Sequence, residues 1–451
     1  MERLLRIGSI TLLAAVGVGL LVTDGGATSI LMIAVMSFAL AEVFRRYTDD
    51  KEFVTWIFLG ALAVRLAFGL FVHTYELREF FGGDANTYDF RGWALASQWL
   101  GNATIYNPDL RLALETRGSG WGMNYLVAAI YAVIGRNILA AQSFCAVIGA
   151  ATAPMVYFCA QKVFQNRRVA TTAAVLAAFF PAFIIWSGQL LKDGLIIFLL
   201  VLAMTLVLEL QERFSLASVV LLTLSIGGIL SLRFYIFYMV AVAIAGSFVI
   251  GLTSSTQALI RNTLILIVVG LGLTYFGVIQ NASRQLEIYG TKDQLKRSRG
   301  DLARSAKSGF GEDVDVTTTE GAISTIPLGF SYLMFAPFPW QLGSLRQSIT
   351  LPEVLLWWAM IPIMTLGLWW SIRHRLKRAF PILIFSLLLT IAYSIFSGNV
   401  GTAYRQRTQI QVFLFIFIAV GIQLLRERRE DKVLKRMSRE RARQMLGIRP
   451  S

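Results

Sequence analysis

One feature limits this chain more than any other. Continuous apolar runs of about 20 residues, the length that crosses a bilayer core, recur roughly a dozen times. The runs do not alternate with period two, so the spans are helices and a β-barrel is excluded. Composition agrees, with 56% hydrophobic and 15% charged residues in a chain of 451. The pattern predicts an all-α polytopic membrane protein of about 12 transmembrane helices, plus one or two partial or re-entrant segments.

The formal charge of +15 raises a nucleic-acid reading, but its distribution argues against one. Ten Lys/Arg against four Asp/Glu lie in the tail Arg426–Ser451, and Arg373–Arg378 (RHRLKR) forms a second basic block. Basic residues flanking apolar spans mark the cytoplasmic side and favour anionic lipid headgroups. The expected partners are therefore membrane lipids, with no nucleic acid. Cys145 and Cys159 share one apolar run, which argues against a disulfide or metal site. His73 and His374 sit far apart at span ends, leaving too little material for a histidine-based centre. Met1–Leu21 reads as the first span, because no small-residue cleavage site precedes the next apolar run.

With Arg3 and Arg6 inside, spans at 7–22, 28–43 and 53–74 place residues 75–120 outside. This loop opens with Phe80–Arg91, FFGGDANTYDFR, and residues 85–100 then follow a helical pattern. Tyr88, Leu95, Ala96, Trp99 and Leu100 share one face; Asn86, Thr87, Arg91, Ser97 and Gln98 take the other. Such a helix, carrying Trp93 and Trp99, lies along the membrane surface, with Asp84 as its expected N-cap. The short basic loop 161–168 belongs inside, which requires 121–135 to be re-entrant or partial. Residues 187–194 then fall outside, and 216–251 form a pair of spans with Arg233 near their junction.

The stretch 280–322 holds seven basic and seven acidic residues. It is expected to contain a short helix around Lys292–Lys307, and its length suits a lid better than a linker. After 323–338, which ends in APFPW (336–340), spans are expected at 354–371, 380–396 and 410–425, with the external loop SGNVGTAYRQRTQ at 397–409. The chain thus divides into two N-terminal spans (1–50), a transmembrane module with its external loop (51–279), a hydrophilic loop (280–322), a C-terminal module (323–425) and a basic cytoplasmic tail (426–451).

This topology gathers acids and bases on the external face, an arrangement that suggests a site. Asp84 is either a general base within reach of an acceptor hydroxyl or a helix cap. Asp89 falls near the apolar face of the surface helix, where a carboxylate needs a partner. Lys192–Asp193, at a turn between apolar runs, is either an interfacial anchor or a second acid with a lysine that balances phosphate charge. Arg405 and Arg407 lie outside against the positive-inside trend. Two guanidiniums two residues apart can grip a phosphate, and the plain alternative is a snorkelling pair. Arg233, beside Phe234 and Tyr235, divides between the same two readings.

The arrangement resembles the integral-membrane glycosyltransferases of the C-type (GT-C) fold, which include the protein mannosyltransferases, the lipid A aminoarabinose transferases and oligosaccharyltransferase. The resemblance rests on GGDANTYDFRGWALA (82–96), with its Asp-x-x-x-Tyr spacing of Asp84 and Tyr88, and on FFPAFIIWSGQLLKDGLIIFLL (179–200). APFPW and GNVGTAYRQR are similar to segments of members from bacterial polysaccharide clusters. It covers roughly 53–260 and, with less force, 320–425. SGWGMNY (119–125) stands where the family usually has Pro-Pro, and two additional spans precede the catalytic loop.

The resemblance implies a sugar transferase of the bacterial inner membrane, acting on its external, periplasmic face in cell-surface polysaccharide or glycoconjugate synthesis. It would use a polyprenyl-phosphate donor and a glycan, lipid or protein acceptor. Asp84 would be the catalytic base and Asp193 the second external acid, supported by Asp89, Tyr88 and Lys192. Arg405, Arg407, Tyr404 and Arg233 would bind the donor phosphate. A divalent cation, Mg or Mn, would sit between Asp84 and Asp193 if one is used. Two rival readings are a polymerase or ligase of lipid-linked glycans and a flippase. The flippase expects charges at mid-membrane depth and internal symmetry; no internal repeat is visible.

Overall fold

In the computed structural model the described residues are 2–101, 120–250, 256–291, 294, 296, 297, 299–301, 309, 310 and 318–445. Regular structure among them is helical throughout, with one isolated antiparallel bridge between Gly309 and Asn399. In chain order the helices are α1 (Glu2–Leu21), α2 (Gly26–Arg46), α3 (Lys51–Thr74), α4 (Arg78–Gly82), α5 (Asp84–Trp99), α6 (Trp121–Ile134), α7 (Ile138–Phe164), α8 (Arg167–Phe179) and α9 (Pro181–Ser187). They continue with α10 (Asp193–Glu212), α11 (Leu216–Leu232), α12 (Phe234–Ile250), α13 (Thr256–Tyr275), α14 (Val278–Tyr289), α15 (Thr319–Phe335), α16 (Leu345–Phe396) and α17 (Val400–Met445).

Among the described residues, seven helices are long and apolar enough to cross a membrane, or nine if two bent pairs each count as a span. The chain is an integral membrane protein. This count takes in long helices only. Trp121–Ile134, Leu216–Leu232 and Phe234–Phe248 are shorter apolar helices of 10–17 residues and lie outside it. The runs expected at 354–371 and 380–396 are two helices that meet at a break at Arg375 (φ −134°, ψ 20°), inside the RHRLKR block, and count together as the long segment α16.

Further expectations are corrected at the external loops. The segment 397–409 is not a loop, because α17 begins at Val400. Asn399 begins this helix, its Oδ1 accepting from the Gly401 amide at 2.7 Å. Asp84 is the first helical residue of α5 and not its cap; Gly83 holds the cap position, with no side-chain capping bond. The surface-helix face is partly as expected: Tyr88, Leu95 and Ala96 are buried, whereas Trp99 and Leu100 are exposed. Helix α5 packs on α6 at Gly92, where a Cβ would lie 2.4 Å from Val127 Cγ1. Most of the helix expected at Lys292–Lys307 lies outside the described residues, as does much of the 280–322 loop.

The two ends of the bundle carry different chemistry. One end holds the basic segments: Arg167 pairs with Asp50 at the start of α3 at 2.6 Å, and Arg168 pairs with Glu430 of the C-terminal tail at 3.4 Å. The other end collects the C-terminus of α3, the N-termini of α10 and α17, and the α11–α12 junction.

A broken helix shapes that second end. Pro181 has no amide hydrogen, so the run from Arg167 breaks at Phe180, and α8 and α9 meet at 54°. The break leaves carbonyls of α8 without helical donors, and Arg65, fully buried in α3, supplies them. Its guanidinium donates to Ala178 O at 2.8 Å, Ala177 O at 3.2 Å and Ser187 Oγ at 2.8 Å. Arg65 thus fixes the angle at which α9 approaches the site. Replacing it with Met leaves Ala177 and Ala178 unpaired, at about 1–3 kcal/mol for each buried group. The thermal-unfolding midpoint of Arg65→Met in detergent should fall clearly below wild type; an equal midpoint would contradict this role.

Candidate active site

Three elements far apart in sequence meet at the non-basic end. Asp193 is the first residue of α10, where a carboxylate complements the helix dipole. It is fully buried, and an isolated charge there would be costly. Arg405, in the second turn of α17, supplies the countercharge: Nε lies 2.6 Å and Nη2 2.5 Å from Asp193 Oδ2. The same guanidinium reaches the other way, with Nη1 2.7 Å from Asp84 Oδ2 on α5. Asp84 is about half exposed at 49%, whereas Asp193 is at 0%. Arg233, at the α11–α12 junction, completes the cluster with Nη2 3.5 Å from Asp193 Oδ1. Trp186 of α9 lies beneath Arg405, whose guanidinium carbon is 5.4 Å from the ring centre. Such stacking suits arginine and holds its plane while the edges bond the acids.

Tyr88, one turn after Asp84, is buried facing the cluster. Burial first, then Asp84, pushes its phenol above the ordinary value, so it stays protonated as a hydrogen-bond donor. Lys192 immediately precedes α10. Burial first, then Arg233, lowers its ammonium to about 8, so it remains largely charged at neutral pH. The backbone at Gly120 (φ 88°) crosses directly above it; a Cβ there would lie 2.6 Å from Lys192 Nζ. A glycine is required on both counts.

The expected Arg405–Arg407 clamp does not form. In a helix, residues two apart point about 200° away from one another. Arg407 is fully buried on the opposite face, and its Nη1 donates to Ala336 O at 3.0 Å and Met334 O at 3.2 Å. Tyr404 is also turned inward, donating its hydroxyl to Glu353. Asp89 faces away from the cluster: it accepts from Tyr131 Oη at 2.7 Å and pairs with Arg136 at 2.5 Å, tying α5 to α6. Arg136 in turn covers the Trp93 ring at 4.9 Å.

Asp84 and Asp193 are the carboxylates a divalent cation would use. Both are committed to Arg405, and three cationic side chains (Arg405, Arg233, Lys192) accompany two acids. Among the described residues no group of three His, Cys, Asp or Glu converges elsewhere. The residues as arranged do not fit a dication between the acids.

Sequence reasoning missed Trp186, Glu353, Arg65 and Arg136. A signal existed for two of them: Arg65 and Glu353 are charges placed well inside or close to apolar runs, where ionisable groups are rare and have a purpose. Beside the cluster lies an apolar cleft of about 50 Å³, lined by Phe80, Phe81, Ile185, Trp186, Val400 and Tyr404 among others. The turn before α17 is held by the hydrophilic loop: Phe310 N donates to Gly398 O at 2.9 Å, and its ring stacks on Tyr332 with centroids 4.0 Å apart.

The sequence profile of the dolichyl-phosphate-mannose-protein mannosyltransferase family matches residues 111–276. The matched stretch contains Lys192, Asp193 and Arg233, while Asp84 and Arg405 lie on either side of it. No curated protein matches the sequence. Among solved structures, the chain is similar to ArnT from Cupriavidus metallidurans bound to undecaprenyl phosphate, at 13% identity and a TM-score of 0.47 over 76% of this chain and 59% of that one. It is also similar to the archaeal oligosaccharyltransferase AglB from Archaeoglobus fulgidus, in complex with an inhibitory peptide and a dolichol-phosphate. There the identity is 14% and the TM-score 0.43, over 72% of this chain and 44% of that one. The chain thus spans 59% and 44% of the lengths of those two proteins.

The two acids of the cluster are expected to differ in stability. Losing one partner of a buried ion pair costs about 3–5 kcal/mol, whereas a half-exposed pair contributes about 0–1 kcal/mol. Asp193→Asn should lower the unfolding midpoint far more than Asp84→Asn in the same detergent. Equal shifts, or the reverse order, would show that Asp193 is not the structural acid.

Proposed function

We propose that this protein transfers a glycosyl group from a polyprenyl-phosphate donor to an acceptor hydroxyl on a glycan, lipid or protein, at the external face of a bacterial inner membrane. The observation that carries this reading is Arg405 bonded to Asp84 and Asp193 at once, at the end of the bundle opposite the basic segments. The match of residues 111–276 to the dolichyl-phosphate-mannose-protein mannosyltransferase family supports the reaction class. The apolar cleft beside the cluster supports a lipid-linked donor, whose first prenyl units would lie along Phe80, Phe81 and Trp186.

In this mechanism Asp84 takes the proton of the acceptor hydroxyl, and the hydroxyl oxygen attacks the anomeric carbon. The carbon–oxygen bond to phosphate breaks, and the polyprenyl phosphate departs with the electron pair. Arg405, with Lys192 and Arg233 behind it, stabilises the charge gathering on that phosphate, the kind of preorganised help that dominates many enzymes. Asp193 stays bonded to Arg405 and holds it in place.

The resting arrangement adds a control step. Asp84 and the donor phosphate both need Nη1 of Arg405. While Asp84 holds that position its Oδ2 is engaged by Arg405. An arriving phosphate takes the place of the half-exposed Asp84, never that of buried Asp193, and frees the base only when a donor is bound. The coupling would limit turnover without a donor.

The direct test is transfer by Asp84→Asn in membranes or nanodiscs supplied with polyprenyl-phosphate sugars. Loss of a general base lowers such rates by about 10²–10⁴-fold. A folded Asp84→Asn protein that transfers sugar at the wild-type rate would remove Asp84 from the mechanism.

A further inference from the structure

Behind Arg405 lies a second ionic group that the transfer mechanism does not use. Glu353 sits in α16, within the protein interior at 5% exposure. Its Oε2 accepts the Tyr404 hydroxyl hydrogen, and the backbone amide of Ala182, at the start of α9, faces the same carboxyl group. Arg407 lies against the Tyr404 ring at 5.0 Å. Oε1 of Glu353 and Nε and Nη2 of Arg407 are buried without hydrogen-bond partners among the described residues. A carboxylate at this depth costs several kcal/mol unless paired. A leucine or methionine would fill the same space, so packing alone does not account for the glutamate.

What the group touches points to its role. The Tyr404 ring meets Trp186 edge to face, with centroids 6.2 Å apart, and Trp186 carries the Arg405 guanidinium at 5.4 Å. Glu353 is therefore joined through Tyr404 to both supports of Arg405: α17, which carries Tyr404, and α9, whose Trp186 meets the Tyr404 ring. Each residue step in a helix is a rotation of about 100°, so a small turn of α17 about its axis would take Arg405 off both acids. Arg407 opposes such a turn from the far side, anchored to the carbonyls of Met334 and Ala336.

We propose that Glu353 is the positioning residue of the site: through Tyr404 and Arg407 it sets the rotation of the first turns of α17 and so aims Arg405 at Asp84, Asp193 and the donor phosphate. This rests on the reading of Arg405 as the phosphate-binding group. Glu353 touches no substrate and acts only through its neighbours.

The test measures binding of undecaprenyl phosphate to the full-length protein in nanodiscs, for wild type, Arg405→Ala, Glu353→Ala, Glu353→Gln, Tyr404→Phe and the Glu353→Ala/Tyr404→Phe pair. A hydrogen bond to a charged group contributes about 1.5–3 kcal/mol, so Glu353→Ala and Tyr404→Phe should each weaken binding about tenfold or more. Glu353→Gln keeps an oxygen for the Tyr404 hydroxyl and should recover much of that loss. The double variant should bind no worse than the weaker single one, because both break the same link. Wild-type affinity in Glu353→Ala and Tyr404→Phe, while Arg405→Ala fails to bind, would overturn the positioning role alone. If Arg405→Ala itself binds as wild type, the phosphate reading falls and takes this inference with it. Should Glu353→Ala not fold, Tyr404→Phe, which keeps the ring and its packing, decides by the same criterion.

Discussion

A single guanidinium shared between two carboxylates holds the functional end of this protein together. Arg405 joins residues 321 and 212 positions away in the chain, and it does so where water is largely excluded. There an unpaired Asp193 would be very costly, so α10 and α17 are bound to one relative placement. The partly exposed bond to Asp84 is weaker and fixes less. This inequality lets one acid act as a strut and leaves the other free to leave. A site that must both persist and open gains from having its two acids in different dielectric surroundings.

The surrounding structure serves that guanidinium. The proline break between α8 and α9 brings Trp186 beneath it, and Arg65 makes the break tolerable by satisfying the freed carbonyls. Glu353 and Arg407 brace the other side of α17. These buried charges share a logic: each sits where regular backbone bonding fails or where a helix must be held at one rotation. Hydrocarbon packing is non-directional and can do neither. Asp89 does related work nearby, linking α5 to α6 through Tyr131 and Arg136 so that Asp84 sits on a supported helix.

Much of this was legible in the sequence. Long apolar runs imply helices because an unpaired backbone is intolerable in lipid. Counting crossings from a basic N-terminus was enough to set Asp84, Lys192, Asp193 and Arg405 on one side. Other parts were illegible for identifiable reasons. The segment 397–409, rich in Gly, Ser, Asn and Gln, reads as a loop, yet from Val400 it is helical. Its polar groups pair with one another and with neighbours: Ser397 with Gln406, and Gln409 with Tyr393. Local propensity was overridden by partners that only the fold provides. Once that segment is helical, Arg405 and Arg407 must diverge, and the clamp expected from their spacing becomes one arginine at the site and one inside the core.

A phosphate that binds at Arg405 must compete with Asp84, and that competition has a signature no simple loss of contact produces. The decisive measurement is the affinity of Asp84→Asn for undecaprenyl phosphate in nanodiscs, beside wild type. Removing the competing charge should leave binding as tight as wild type or tighter. Markedly weaker binding by a folded Asp84→Asn protein would mean that Asp84 helps to hold the phosphate, and the account of a shared arginine would be wrong.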